Sequence, residues 1–351
     1  MKNVLYVFLG IIFFNQLLPV ELYSQNESSN ISSFFKFFEA IDLDSLKLPH
    51  PNADIHFVKN LTCIADFNAY NIKCFDRNGR VRRKIGRKGR GPGEFNQLAF
   101  IDINETNNRL VALDISKRIS LFDLEGNYIS SFIISKPYHA LDITYLDGQH
   151  IAIGGLPFNS SSYKIENNKG FVHLYEIDGE YKNSFQTPYQ IEKDKISLQA
   201  INLDIIVKSD INGGVLAAQP LKYELVKHNI KQKGSKILIS KVPDYVKIVD
   251  EAIPPAAISK RKIDDFWFSE DRHILSSFYT TSFGYIMKVK TFQPTMYSLD
   301  VYDRNGNPII LNISTDLNLR AVKNRKFYFT TFSEESNSYQ LQVYEFNIPD
   351  R

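Results

Sequence analysis

With 351 residues, 43% of them hydrophobic and 13% aromatic, the chain can bury a large apolar core, which excludes disordered and fibrous classes. Its 42 Lys and Arg against 39 Asp and Glu leave a formal charge of +3, too small a balance to name nucleic acid or any other polyelectrolyte as a partner. Two cysteines exclude a disulfide framework, and neither sits in a Cys-x-x-Cys or Cys/His ligand spacing, so the core itself must supply the stability.

The N-terminus carries Lys2 and then an uninterrupted apolar run from Val4 to Phe14, followed by Asn15, Gln16, Pro19, Ser24 and Gln25. This is the layout of a secretory signal over residues 1–25, with cleavage between Ser24 and Ser28. The run is about half the ~20 residues that a spanning helix needs, and no later segment is continuously apolar for long enough, so no transmembrane segment is expected. The first cysteine is Cys63, which leaves no lipid-attachment residue behind the signal. The mature chain, 26–351, is therefore expected to be periplasmic or secreted and not a lipoprotein.

Further along, a short motif recurs: aromatic, acidic, two residues, glycine. It stands at Phe75-Asp76-Arg77-Asn78-Gly79, Phe122-Asp123-Leu124-Glu125-Gly126, Tyr175-Glu176-Ile177-Asp178-Gly179 and Tyr302-Asp303-Arg304-Asn305-Gly306. Copies without the glycine begin at Tyr223-Glu224 and Tyr344-Glu345. The aromatic positions are 47, 53, 48, 79 and 42 residues apart, and four of these intervals match the ~40–50 residues of a four-stranded propeller blade.

The copy at 99–133 shows the local physics best. Ala99–Ile103 alternates as an innermost strand, Leu110–Leu113 is a second, Asp114–Lys117 a turn, Ile119–Phe122 a third strand, Glu125-Gly126-Asn127 a turn, and Tyr128–Ile133 a fourth. No segment sustains a 3.6-residue apolar period, which points to an all-β chain.

The run Ile85-Gly86-Arg87-Lys88-Gly89-Arg90-Gly91-Pro92-Gly93-Glu94-Phe95, with Asp102, Leu110–Asp114 and Arg118–Gly126 after it, resembles an NHL repeat. Its Gly-x-Gly-Pro-Gly-Glu-Phe version is similar to the six-bladed β-propeller family of exported Bacteroidetes proteins. The resemblance covers 54–133 in motif and 190–351 in spacing. It implies a six-bladed β-propeller of four-stranded antiparallel blades in a single domain, and no general activity. Tyr344 lies too close to Arg351 for its blade to gain a fourth strand, so the apolar-rich stretch 34–48 is expected to complete that blade and close the ring. The long interval before Tyr302 holds an inter-blade insertion at 241–262, marked by Pro254-Pro255.

Several constellations carry candidate chemistry. Gly86, Gly89, Gly91 and Gly93 alternate with basic residues but lack the helix of a phosphate loop, since Pro92 and a strand follow, so this is a turn. Eight of the fourteen residues Arg77 to Arg90 are basic; Arg82, Arg83, Arg87, Lys88 and Arg90 form a candidate patch for an anionic polymer, the competing reading being a solvated edge. Cys63 and Cys74 flank a turn near Asn68–Tyr70, where antiparallel pairing sets them opposite each other. Free thiols filling the core are the expectation, and a bridge in an oxidising compartment is the alternative.

Asn96, His139, Asn202, Asp264 and Asp265 fall at the predicted starts of inner strands, where lactonase- and lyase-type propellers gather metal ligands. No carboxylate recurs blade after blade, so no catalytic residue and no metal ligand is assigned. Together with Trp267, the one tryptophan, these residues are kept as ligand-binding candidates. The expected function is a non-catalytic binding or scaffold propeller without cofactor. It is expected to act as a monomer, with a peptide, glycan or envelope protein as partner and no nucleic acid. The alternative is a lactonase- or lyase-like enzyme with calcium or zinc in the central channel.

Overall fold

The computed structural model describes residues 31–42, 55–136, 139–156, 170–185, 205–220, 222–231, 234–247, 273–292, 295–333 and 338–347. Among them run twenty-four strands, paired antiparallel into six four-stranded sheets. After β1 (Phe35–Asp42), the first blade is β2 (Ile55–Val58), β3 (Leu61–Asp66), β4 (Asn71–Phe75) and β5 (Val81–Ile85). The second is β6 (Leu98–Asn104), β7 (Arg109–Asp114), β8 (Arg118–Phe122) and β9 (Tyr128–Ile133). The third is β10 (His139–Tyr145), β11 (His150–Leu156), β12 (Val172–Glu176) and β13 (Tyr181–Phe185). The fourth is β14 (Ile206–Ser209), β15 (Val215–Gln219), β16 (Lys222–Asn229) and β17 (Gly234–Ile239), and the fifth is β18 (His273–Thr280), β19 (Gly284–Phe292), β20 (Thr295–Asp303) and β21 (Pro308–Thr315). The sixth joins β22 (Asn318–Lys323), β23 (Lys326–Ser333) and β24 (Ser338–Phe346) to β1.

The two-residue period of a strand stacks these sheets into a ring. Leu110 and Ala112 of β7 pack with Cys63, Ile72 and Ile85 of the first blade. Their neighbours Val111 and Leu113 point the other way, onto Ile143, Ile151 and Tyr175 of the third. Likewise Val215 and Ala217 face the third blade while Leu216 and Ala218 face the fifth. Middle strands are therefore apolar on both faces, as in β7 and β15, whereas the outer strands β5, β9 and β17 are largely exposed. Each fully buried Leu, Ile, Val or Phe side chain contributes ~1.5–3 kcal/mol. Six such clusters fill the six junctions, the last of them joining Ala321 and Leu341 to Ile55, Ile64 and Phe75.

The ring closes as the sequence predicts. β1 pairs antiparallel with β24, Phe35 opposite Phe346 and Ile41 opposite Leu341. The Phe35 ring lies 4.8 Å from that of Phe327 and 5.0 Å from that of Phe346. Residues 43–48 of the expected closing stretch lie outside the described residues, as do the signal at 1–25 and residues 248–262 of the insertion. Of that insertion, Lys241–Lys247 is described: Val246 turns back to bond Pro243 and is buried in the junction of the fourth and fifth blades.

The recurring motif is the turn between the third and fourth strands. The acidic side chain caps it: Asp303 Oδ1 accepts the amides of Asn305 and Asn307, each at 2.8 Å. The glycine has a second role. Gly126 adopts φ +95°, and a Cβ there would come within 2.9 Å of Ile85 on the preceding blade; Gly179 stands in the same relation to Phe132. The turn thus abuts its neighbour only because no side chain intervenes.

Two expectations are corrected. Tyr223 is the second residue of β16, not its end, so the fourth copy of the motif is His228-Asn229, where Asn229 Oδ1 accepts the Lys231 amide. Its glycine, Gly234, comes six places after His228 and not four, which hides it. Cys63 and Cys74 are not free thiols: they oppose each other across β3 and β4 with Cα atoms 4.0 Å apart and are joined by a disulfide. No helix among the described residues is long and apolar enough to cross a membrane.

Candidate functional site

The inner strands are tied to one another by carboxylates. Asp102 of β6 accepts the Thr144 hydroxyl and the Tyr145 amide of β10, both at 2.8 Å. One blade further, Asp142 of β10 accepts the Val207 amide of β14 at 2.9 Å. His56 of β2 lies with Nδ1 3.7 Å from Asp102. The acids at the axial end of blades two and three therefore serve neighbouring backbones. No local pattern announces these cross-blade bonds: each acid also accepts the amide of the residue after it, but its partners on the next blade are at least 42 residues away.

A second network is buried between blades four and five. Asp300 of β20 is fully buried and accepts hydrogen bonds from the phenols of Tyr223 and Tyr245 and from the Asn312 amide. Because Tyr223 donates to Asp300, Tyr302 must donate to the Tyr223 oxygen, 2.7 Å away. Burial pushes the Asp300 carboxyl above the ordinary carboxylate range, and the hydrogen bonds from Tyr223, Tyr245 and Asn312 only partly offset it. Burial, reinforced by the Asp300 charge, drives the Tyr223 and Tyr245 phenols far up, so both remain protonated donors.

Of the residues singled out from sequence, Asn96 is exposed just before β6 and its amide donates to Asp114 Oδ2 at 2.6 Å. His139 opens β10, half-buried, and burial together with the Lys117 charge lowers its pKa. Asn202, Asp264, Asp265 and Trp267 lie outside the described residues. The glycine-rich loop is a turn folded on its own carboxylate: Glu94 accepts the Gly91 amide at 2.8 Å and the Arg87 guanidinium at 2.9 Å. Arg118 clamps the carbonyls of Arg90, Gly91 and Glu94.

Of the five cations in the candidate patch, four are already engaged. Arg82 pairs with Asp76, Arg83 donates to the Leu124 carbonyl, Arg87 to Glu94, and the Lys88 ammonium sits 4.8 Å over the Tyr70 ring. Three carboxylates, Glu176, Asp178 and Glu180, converge at the turn of the third blade. Lys182 bridges Glu176 and Glu180, at 2.6 Å and 2.9 Å, so part of the cluster's charge is offset from within.

Six four-stranded sheets around one axis, locked by a strand from the N-terminal side, define a six-bladed β-propeller. The model of the DUF5128 family, described as a 6-bladed beta-propeller, matches residues 16–236, and the chain belongs to that family. Among solved structures it is similar to the Bacteroides fragilis NCTC 9343 protein BF0058, which carries an exported-protein designation. The two share 12% identity with a TM-score of 0.65, over 92% of this chain and 98% of that one. A DUF4221-family member from Bacteroides vulgatus is 11% identical with a TM-score of 0.55, over 90% of this chain and 98% of that one. At these identities the likeness shows the fold alone. No curated protein matches the sequence.

Proposed function

We propose that this protein is an exported, non-catalytic binding propeller of the cell envelope, acting as a monomer that presents one face of its ring to a peptide, glycan or protein. The observation that carries this reading is the use of the buried carboxylates. Asp102, Asp142 and Asp300 each bind the amides or hydroxyls of an adjacent blade. Acids that a propeller enzyme would turn toward substrate or metal here make a rigid frame, the property a recognition surface needs. Export is supported by the signal-like N-terminus, by the Cys63–Cys74 bridge, which belongs to an oxidising compartment, and by the designation of the Bacteroides fragilis neighbour.

The test is elemental analysis of the purified protein with thermal melting in the presence and absence of EDTA. A melting temperature indifferent to chelator, with no stoichiometric calcium or zinc, is the expected result. A tightly held stoichiometric metal whose removal lowers the melting temperature overturns it in favour of a metal-dependent lactonase- or lyase-like enzyme.

A further inference from the structure

The face of the ring that carries the first-to-second and third-to-fourth strand turns is basic where the sixth blade meets the first. Three turns contribute: Lys59-Asn60 between β2 and β3, Arg77-Asn78-Gly79-Arg80 between β4 and β5, and Asn324-Arg325 between β22 and β23. Lys59, Arg77, Arg80 and Arg325 are exposed. Of the nearby acids, Asp76 is paired with Arg82 and Glu105 with Lys323, while Glu345 stands in register between Lys36 and Lys326. The Lys323 ammonium also reaches the Lys59 carbonyl at 3.2 Å, which fastens the inner turns of blades six and one together. With strands ~4.8 Å apart, the outer turn of blade one lies within about 10 Å of Lys59. Four uncompensated cations thus share a patch the size of a few sugar units, unlike Arg82, Arg83, Arg87 and Lys88, which have partners inside the protein.

Each of these turns sets an exposed asparagine, Asn60, Asn78 or Asn324, beside its basic residue. Charge alone suits any polyanion, whereas charge alternating with side-chain amides suits a ligand that bears acidic groups and hydroxyls together. Beside these turns Val81, at the start of β5, is exposed, but a single valine offers too little apolar surface to enter a bilayer. The nearest exposed aromatics, Phe37 and Phe38 on β1, are already in contact: Phe37 packs edge-on against Tyr344, and the Lys326 ammonium caps Phe38. We infer that this surface binds an acidic polysaccharide, through salt bridges from Lys59, Arg77, Arg80 and Arg325 to its carboxylates or sulfates and hydrogen bonds from the three asparagines to its hydroxyls. The inference rests on the binding reading above and names the partner chemistry and the face.

The experiment measures binding of the full chain to polygalacturonate and to heparin by calorimetry at low and raised salt. Arg77→Ser with Arg80→Ser and Arg325→Ser is expected to weaken both by about tenfold or more, and wild-type binding to fall as salt rises. Asn60→Ala with Asn78→Ala and Asn324→Ala is expected to weaken polygalacturonate by about threefold while leaving the salt dependence unchanged. Arg83→Ser with Arg87→Ser and Lys88→Ser serves as the control of equal charge, since each of these cations has a partner outside the patch, and leaves binding within about twofold. Unchanged binding in either triple variant overturns the proposal. So does anionic phospholipid vesicle or single-stranded DNA held as tightly as the polysaccharides. A protein that is metal-free and indifferent to chelator but fails these measurements loses this inference alone, and the binding reading stands.

Discussion

Tyr223 and Asp300 lie 77 residues apart on adjacent blades, and the phenol of one donates to the buried carboxylate of the other. The bond fastens blade four to blade five, and Tyr245 adds the described part of the insertion to the same oxygen at 2.6 Å. Removing the Tyr223 hydroxyl with Tyr223→Phe takes a donor from a buried carboxylate and is expected to cost about 1.5–3 kcal/mol in urea unfolding. A change below about 0.5 kcal/mol would mean the network carries no stability.

The same carboxylate sets a pH dependence. Its folded pKa is raised, so the folded state holds the Asp300 proton more tightly than the unfolded chain. This contribution is fully present below the ordinary value of 3.8 and is lost as pH rises through the raised folded value. Asp300→Asn removes it. The stability difference, Asp300→Asn minus wild type, is therefore expected to shift in favour of the variant between pH 4 and pH 8, which paired urea titrations measure; a shift toward wild type contradicts the assignment.

His228 behaves in the opposite sense. Buried against Phe185, with Nδ1 2.6 Å from the Ser235 hydroxyl, its pKa is pushed down to about 4 by desolvation. The fold holds it neutral, so stability present above the ordinary pKa of ~6.5 is lost as pH falls toward 4. His228→Phe is expected to flatten that part of the acid limb, and a His228 resonance, assigned by its loss in that variant, titrating near 6.5 in the native protein would refute the account.

Closure depends on one strand. Phe35→Ala opens a cavity among Phe327, Phe329 and Phe346 and is expected to cost about 3–5 kcal/mol. Deleting residues 31–42 uncovers the β24 edge and is expected to give aggregation seen by light scattering. A deletion variant that stays monomeric with an unchanged melting temperature would show that closure is dispensable.

The Cys63–Cys74 bridge spans 11 residues of chain. Denatured, unreduced protein is expected to give no reaction with a thiol reagent. Cys63→Ala with Cys74→Ala is expected to lose about 2–3 kcal/mol of stability, because the loop is no longer restrained in the unfolded chain. Two titratable thiols in the native oxidised protein would remove the bridge.

Where the signal is local, the sequence was readable. Phe122-Asp123-Leu124-Glu125-Gly126 announces its hairpin because the capping carboxylate and the left-handed glycine are neighbours in the chain. The blade at 98–133 follows strand by strand, and the expected closing strand is borne out by the pairing of β1 with β24. His228-Asn229 escaped because its glycine, Gly234, stands six places after the aromatic position and not four. Tyr223, taken from sequence as that turn, is instead half of the Asp300 network. The register that sets Cys63 opposite Cys74 was legible, but the bond between them was not, since opposed cysteines are compatible with either state.

By itself, then, the sequence marked the turns that carry the glycine motif and the strands of the blade at 98–133, because two-residue alternation and turn chemistry act over a few residues. Only the tertiary structure decided which charges are free. Arg82, Arg83, Arg87 and Lys88 look equivalent to Lys59, Arg77, Arg80 and Arg325 along the chain. The difference is made by partners such as Asp76, Leu124, Glu94 and Tyr70, which the stacking of blades and the folding of the loop bring within reach. The same holds for Asp102, Asp142 and Asp300, whose partners lie on the neighbouring blade and come near only when the ring is closed.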